Sequence, residues 1–177
     1  MTIRPLQWSD FRGWAELYLS RFEEVRSNPE LGVFTMASPP SLGAEAALFG
    51  TIQKAILDGD HVAFVAEEGG RVVGHANVTR KGKHVEDAHI GVLGMAVLPE
   101  WRGRGIGNQL MTPLLEACRG KFEIVQLSVI DANVRAQALY RKHGFVESGR
   151  EPMAFKRGDR YFDEILMWRS IGVAGNR

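Results

Sequence analysis

One stretch of the sequence, residues 94–119, passes from an apolar run through a glycine-rich turn directly into a helical pattern. It reads GMAVLPEWRGRGIGNQLMTPLLEACR. Glycines at alternating positions allow backbone conformations closed to other residues, so several N–H groups can point into one concavity. These groups lie at the positive end of the next helix, and Arg102 and Arg104 add full charges. The stretch therefore predicts a strand, a phosphate-binding loop and a helix.

The two common nucleotide-binding motifs do not fit this loop. GxxxxGK[ST] requires a lysine followed by Ser or Thr, which the loop lacks, and GxGxxG requires glycine where Asn108 or Leu110 stands. On these residues alone, a tight turn with solvated arginines explains the loop as well as a phosphate site does.

Two segments of the chain resemble the GNAT superfamily of N-acetyltransferases. The family's acyl-coenzyme A loop, [Q/R]xxGx[G/A], is matched by Arg102, Gly105 and Gly107. Residues from Asn133 to Phe145 resemble its NxxAxxLYxxxGF segment, at the spacing expected after one intervening strand. Two ordered motifs are far less common by chance than one, and weaker matches extend the resemblance over nearly the whole chain.

Hydrophobic periodicity and turn residues predict elements in the order βααβββαβαββ. The resemblance implies a GNAT-type α/β fold of three layers, with a central mixed, mostly antiparallel sheet and helices on both faces. Glycines 69 and 70 predict a hairpin, and the apolar strand from His89 to Leu98 suits burial on both faces. Short last strands are predicted at Phe145–Ser148 and Ile165–Trp168. Breaks at Asn28, Pro29, Gly32, Pro39 and Pro40 predict the loop between the first two helices, where we expect acceptor choice to be made.

Composition limits the classes of function. At 177 residues the chain is predicted to form one domain over residues 1–177. A net charge of +1 without a long block of one sign argues against nucleic-acid binding. No apolar run reaches membrane-spanning length, so we expect a cytoplasmic protein without membrane contact. Its single cysteine, Cys118, cannot form an intrachain disulfide or a cysteine-cluster metal site, and we predict no metal.

The resemblance also implies a binding site for acetyl-coenzyme A. The pantetheine arm is expected along the central strand and the pyrophosphate over the glycine loop, with the backbone N–H of Ala96 as the donor to the thioester oxygen. The implied coenzyme-binding residues are Met95, Ala96, Val97, Arg102, Gly103, Arg104, Gly105, Ile106, Gly107, Asn108, Asn133 and Tyr140.

Tyr140 is the candidate general acid, because a phenol stays protonated at neutral pH and can donate to a departing thiolate. A core tyrosine in an amphipathic helix is the alternative. Both family positions for a glutamate base are occupied by other residues, Gly91 and Ser128. His89 is the remaining candidate base, since an imidazole accepts protons near neutrality. A structural role for His89 and proton transfer through water stay open, and His75, Glu86 and Asp87 are weaker candidates.

The sequence thus predicts an N-acetyltransferase that transfers the acetyl group of acetyl-coenzyme A to a primary amine by direct attack in a ternary complex. An amino acid or other small amine is the first choice of acceptor, and a protein or peptide amine is the second. The alternatives are a non-catalytic acyl-coenzyme A sensor and, less favoured, another nucleotide-binding protein. A homodimer is predicted on the family resemblance alone.

Overall fold

A computed structural model describes residues 1–28, 31 and 38–172. The strands are β1 Thr2–Pro5, β2 His61–Glu68, β3 Arg71–Arg80, β4 Ile90–Val97, β5 Ile124–Ile130, β6 Val146–Arg157 and β7 Arg160–Ser170. The α-helices are α1 Phe11–Ser27, α2 Leu42–Asp58, α3 Ile106–Ala117 and α4 Val134–Lys142. Pro29 and Gly32, two of the predicted loop residues, lie outside the described residues. None of the helices within the described ranges is long and apolar enough to cross a membrane.

The strands form one sheet in the order β1-β2-β3-β4-β5-β7-β6. The pair β4–β5 is parallel, and the other neighbouring pairs are antiparallel. The observed order of helices and strands confirms the predicted βααβββαβαββ sequence and the mixed, mostly antiparallel sheet. The α3 crossover between β4 and β5 explains why this one pair is parallel.

Helices pack on both faces of the sheet, as adjacent residues of β3 show. A Cβ added at Gly74 would lie 3.1 Å from Cγ2 of Ile106 in α3. The ring of the next residue, His75, lies 6.4 Å from the rings of Trp14 and Tyr18 in α1. Because successive side chains of a strand point to opposite faces, α1 and α3 cover opposite sides of β3. The three-layer prediction is confirmed.

Local signals in the sequence mark several ends of these elements. The Ser41 hydroxyl accepts the N–H of Ala44 at 3.1 Å and caps α2, which ends at Gly59 with a φ of 83°. Gly69 and Gly70 join β2 to β3 with φ values of 57° and 78°, which favour glycine. The predicted hairpin is thus found in the structure, and α2 begins and ends where turn chemistry places it.

The prediction for the last two strands was wrong in extent. β6 and β7 are long strands that form one hairpin, with Gly158 and Asp159 between them. Two irregularities in their register, at Glu147/Gly149 and Glu151/Phe155, interrupt the alternation of inward and outward residues. A bulge breaks the two-residue alternation of apolar and polar side chains by which strands are predicted. The sequence pattern therefore predicted a loop here.

β4 and β5 are paired only at the start of β4. Their register runs from Ile90↔Ile124 to Val92↔Gln126 and stops there. The expectation that β4 is buried on both faces holds for Leu93, which is 6% exposed, but not for Val92, which is 39% exposed. The apolar residues of β4 therefore serve partly as core and partly as the wall of an opening.

We expect Gly91→Ala to destabilise the fold. A Cβ added at this position would lie 2.3 Å from Cγ1 of Val78 and 3.2 Å from the Phe122 ring. Overpacking of this kind costs about 1–3 kcal/mol in the free energy of unfolding, measured in urea. The matched control is Gly50→Ala in α2, where the added Cβ meets nothing within 4 Å. It should stabilise the protein by about 0.5–1 kcal/mol. Equal effects of the two substitutions would contradict the packing described here.

Candidate functional site

A cavity of about 1000 Å³ opens where β4 and β5 part. Its walls come from β4 and β5, from the glycine loop and the start of α3, and from α4. The side chains of Leu17, Ser20 and Arg21 on α1 also line it. Chain segments far apart in sequence therefore meet around the gap in the sheet.

The hydrogen-bond register fixes the direction of each amide of β4. Leu98 N–H donates to Val73 O at 3.0 Å, and Lys81 N–H donates to Ile90 O at 2.9 Å. Alternate residues of an antiparallel strand turn both backbone groups to the same neighbour. Ala96, in register with His75, therefore points its N–H at β3. The N–H groups of Met95 and Val97 point instead to the open edge.

The glycine loop presents backbone N–H groups next to this edge. Gly103 and Gly105 have φ values of 78° and 79°, and nothing lies within 4 Å of a Cβ added at either. The first helical hydrogen bond of α3 runs from Gln109 N–H to Gly105 O at 3.1 Å. The N–H groups of residues 106–108 precede it and have no acceptor within the helix. The loop thus offers open space and free donors to an anion.

The two arginines of the loop make protein contacts. The Arg102 guanidinium forms a two-point ion pair with Glu24 of α1, with Nη2 2.7 Å from Oε2, and its Nε donates to Val97 O at 3.0 Å. Arg104 places its guanidinium 4.6 Å from the ring centre of Trp101 and does not line the described cavity. Arg102 therefore fixes the loop to α1 and β4.

α4 closes the cavity on the side of the loop. A Cβ added at Gly107 would lie 2.8 Å from Cδ2 of Leu139, so a side chain here would require Leu139 to shift. Asn108, at the start of α3, has its Oδ1 3.2 Å from Nε2 of His143 just after α4. Asn133 lines the cavity and caps α4 by accepting the N–H of Ala136 at 3.1 Å.

Tyr140 lines the cavity from α4 while remaining 8% exposed. Burial raises the pKa of its phenol to about 12. The group therefore stays protonated across the physiological pH range and can act as a proton donor.

His89, the candidate base, lies in the turn before β4, where β4 and β5 are still paired. Its carbonyl accepts the N–H of Glu123 at 2.8 Å, and it is not among the described residues that line the cavity. His75 is fully buried behind Ala96, and burial lowers its pKa to about 3. Ser128 lines the cavity, whereas the Gly91 position is closed by Val78 and Phe122.

The structure adds residues that sequence patterns did not select. Arg21 of α1 and Arg135 and Lys142 of α4 all line the cavity. Charged residues on an amphipathic helix usually mark its solvated face. The sequence of α1 therefore did not indicate that Arg21 lines a cavity. On α4, Arg135 and Lys142 stand seven positions apart and share a helical face, a spacing that the sequence did contain.

A model of the acetyltransferase (GNAT) family matches residues 6–145 of the chain. The chain belongs to this family. Its glycine loop and the segment at Asn133 that begins α4 both lie within the matched range, as does the whole of the gap between β4 and β5.

Two curated relatives match over part of their length. The N-alpha-acetyltransferase RimI of Mycobacterium tuberculosis is 39% identical over 84 residues, which cover 48% of this chain and 51% of that protein. The L-amino acid N-acetyltransferase AaaT of Escherichia coli is 28% identical over 102 residues, which cover 56% of this chain and 62% of that protein. The matched segments thus span about half to three fifths of these relatives.

Among solved structures, a GNAT superfamily phosphinothricin acetyltransferase from Sinorhizobium meliloti in complex with acetyl-coenzyme A superposes with a TM-score of 0.79. It is 26% identical, and the superposition covers 97% of this chain and 88% of that one. The likeness therefore extends over the full sheet and its helices.

Proposed function

We propose that the protein is an N-acetyltransferase that uses acetyl-coenzyme A and a primary amine. The observation that carries this proposal is the open edge of β4, which has the glycine loop at one end and Tyr140 beside it. A pantetheine arm can pair with the backbone groups of Met95 and the N–H of Val97 at the open edge, and the pyrophosphate can accept from the N–H groups of residues 106–108.

Bound acetyl-coenzyme A supplies a thioester carbonyl that the amine nitrogen attacks, so that a C–N bond forms and the C–S bond breaks. The N–H of Met95 is placed to hold the carbonyl oxygen, because it points to the gap while the N–H of Ala96 points to β3. Met95 therefore replaces the sequence-based choice of Ala96 as donor. Tyr140 gives its proton to the departing sulfur and regains one from water.

Water is our proposed acceptor for the ammonium proton. The described residues that line the cavity include no Asp, Glu, His or Cys side chain. His89 lies outside this lining, and His75 is neutral and buried. A proton leaving through the open mouth of the cavity requires neither residue.

The acceptor is proposed to be a free amino acid or other small amine, with a protein or peptide amine as the second choice. The test is release of thiol from acetyl-coenzyme A across amino acids, polyamines and short peptides, with coenzyme A binding measured in parallel. Amine-dependent release is the expected result. Tight binding without release from any amine would support the alternative, an acyl-coenzyme A sensor. A cytoplasmic location and a homodimer stay predictions.

Gly105→Glu should block the coenzyme site. The new carboxylate would occupy the open space where phosphate is proposed to sit, and we expect the Kd of coenzyme A to rise about a hundredfold or more. Gly120→Glu is the matched control, because Gly120 also has a positive φ of 76° and open space around its added Cβ. Calorimetry should find coenzyme affinity within about twofold of wild type for this distant site. Unchanged affinity in folded Gly105→Glu would refute the assignment of the loop.

Tyr140→Phe should lower kcat by about a hundredfold or more, because the departing sulfur loses its proton donor. The KM for acetyl-coenzyme A should stay unchanged. Since burial raises the pKa of Tyr140 to about 12, wild-type kcat should not fall as the pH approaches about 10, the ordinary tyrosine value. Tyr161→Phe is the control, because Tyr161 is 52% exposed and outside the described cavity lining. Equal rates for wild type and Tyr140→Phe would assign the tyrosine a packing role.

His89→Gln decides between the two proton routes. Transfer through water predicts a kcat/KM within about threefold of wild type and an unchanged pH profile, which rises as the acceptor amine loses its proton. Steady-state rates between pH 6 and pH 10 give the profile. A loss of about tenfold or more together with a shifted profile would make His89 the base.

A further inference from the structure

Four residues with charged side chains line the described part of the cavity, and all are basic. They are Arg21, Arg102, Arg135 and Lys142. No aspartate or glutamate is found among the described lining residues. A pocket of this charge attracts anionic ligands and disfavours ligands whose only charges are positive.

Three of the four basic residues belong to the glycine loop or to α4, the helix that packs against it. Arg102 is already paired with Glu24. Arg135 and Lys142 belong to α4, the helix that contacts the glycine loop through Leu139. Their charges fit the phosphates of the coenzyme. Arg21 is the fourth, and it lies on α1 instead.

Arg21 has no hydrogen bond and no ion pair with any residue that the structure describes. Its guanidinium lies 4.9 Å from the ring centre of Tyr18, which limits its orientation. Its acidic neighbour, Glu45 of α2, is 3% exposed and has an Oε2 without a hydrogen-bond partner. Burial raises the pKa of Glu45, and the charge of Arg21 acts against this shift. The guanidinium therefore has no counter-ion within hydrogen-bond or ion-pair distance among the described residues.

The α1 wall lies on the side of the sheet to which Ala96 points its side chain. Ala96 is in register with His75, whose ring faces Trp14 and Tyr18 of α1. Leu17 and Ser20 continue this wall beside Arg21. An amine that approaches the open edge of β4 from this side passes along the wall to which Arg21 belongs.

Resting on the proposed function, we propose that Arg21 determines acceptor specificity by binding a carboxylate of the amine, and that the acceptors are free α-amino acids. The planar guanidinium can donate two parallel hydrogen bonds to a carboxylate. The amino group, only two bonds from the carboxylate carbon, is then carried towards the thioester. A neutral or purely cationic amine lacks this contact.

Pairs of acceptors that differ only in the carboxylate test this proposal. Each L-amino acid is compared with its carboxamide by thiol release from acetyl-coenzyme A, using wild type, Arg21→Gln and Arg21→Lys. Arg12→Gln is the matched control, because Arg12 is an exposed arginine of the same helix and does not line the described cavity. Calorimetry measures binding of coenzyme A to each variant, and of the amino acid and its carboxamide to the coenzyme-saturated protein.

For wild type we expect a kcat/KM about tenfold to a hundredfold higher for the amino acid than for its carboxamide. Arg21→Gln should remove this preference through KM while leaving the carboxamide rate and the Kd of coenzyme A unchanged. Arg21→Lys should restore part of it, and Arg12→Gln should behave as wild type.

Equal losses for both acceptors in Arg21→Gln would overturn the proposal. So would a weaker binding of coenzyme A, which would place Arg21 at the coenzyme, or equal calorimetric binding of the amino acid and its carboxamide to wild type. The proposed function fails separately. Absence of thiol release from every amine would refute it, and Arg21-dependent binding of the amino acid would still support the role of Arg21.

Discussion

The parting of β4 from β5 is the constraint on which the rest of the structure depends. Beyond Val92 the two strands have no hydrogen bonds to each other, yet each remains paired on its outer side, β4 with β3 and β5 with β7. Backbone N–H and C=O groups at such an edge require water or a ligand. The gap, which lies between two intact half-sheets, is therefore available to an extended ligand. The glycine loop follows β4 directly, and α4 follows β5, so both reach the gap because the strands diverge.

The gap begins next to a tightly packed residue, Gly91. This residue stands in the last paired part of β4, with Val78 and Phe122 filling the space that a side chain would need. A family position that can carry a glutamate base is therefore a core contact in this chain. The space at this position is filled by core side chains, so it cannot hold a glutamate side chain. This is one reason why the proposed proton route passes through water, and the other is that Ser128, at the second such position, carries no carboxylate.

Local chemistry made much of the fold predictable. Ser41, Gly59 and the Gly69–Gly70 turn are signals that act within a few residues, and the structure has an element end at each. The exposure of Val92 was not predictable, because an apolar strand has the same sequence pattern whether a helix or a cavity faces it. The direction of the Ala96 amide depends on its register with β3, which alternation within one strand does not specify. The amphipathic pattern of α1 cannot indicate which of its arginines will line the cavity beside β4, so the position of Arg21 was not predictable.

The ion pair between Glu24 and Arg102 has a consequence for how the protein folds. Its partners are 78 positions apart in the chain, and β2, β3 and β4 lie between them in sequence. Contacts of such long range form only after a large loss of chain entropy. We therefore expect the glycine loop to acquire its anchored shape late in folding. On this expectation, the loop has its anchored shape only when α1 and the strands up to β4 have already come together.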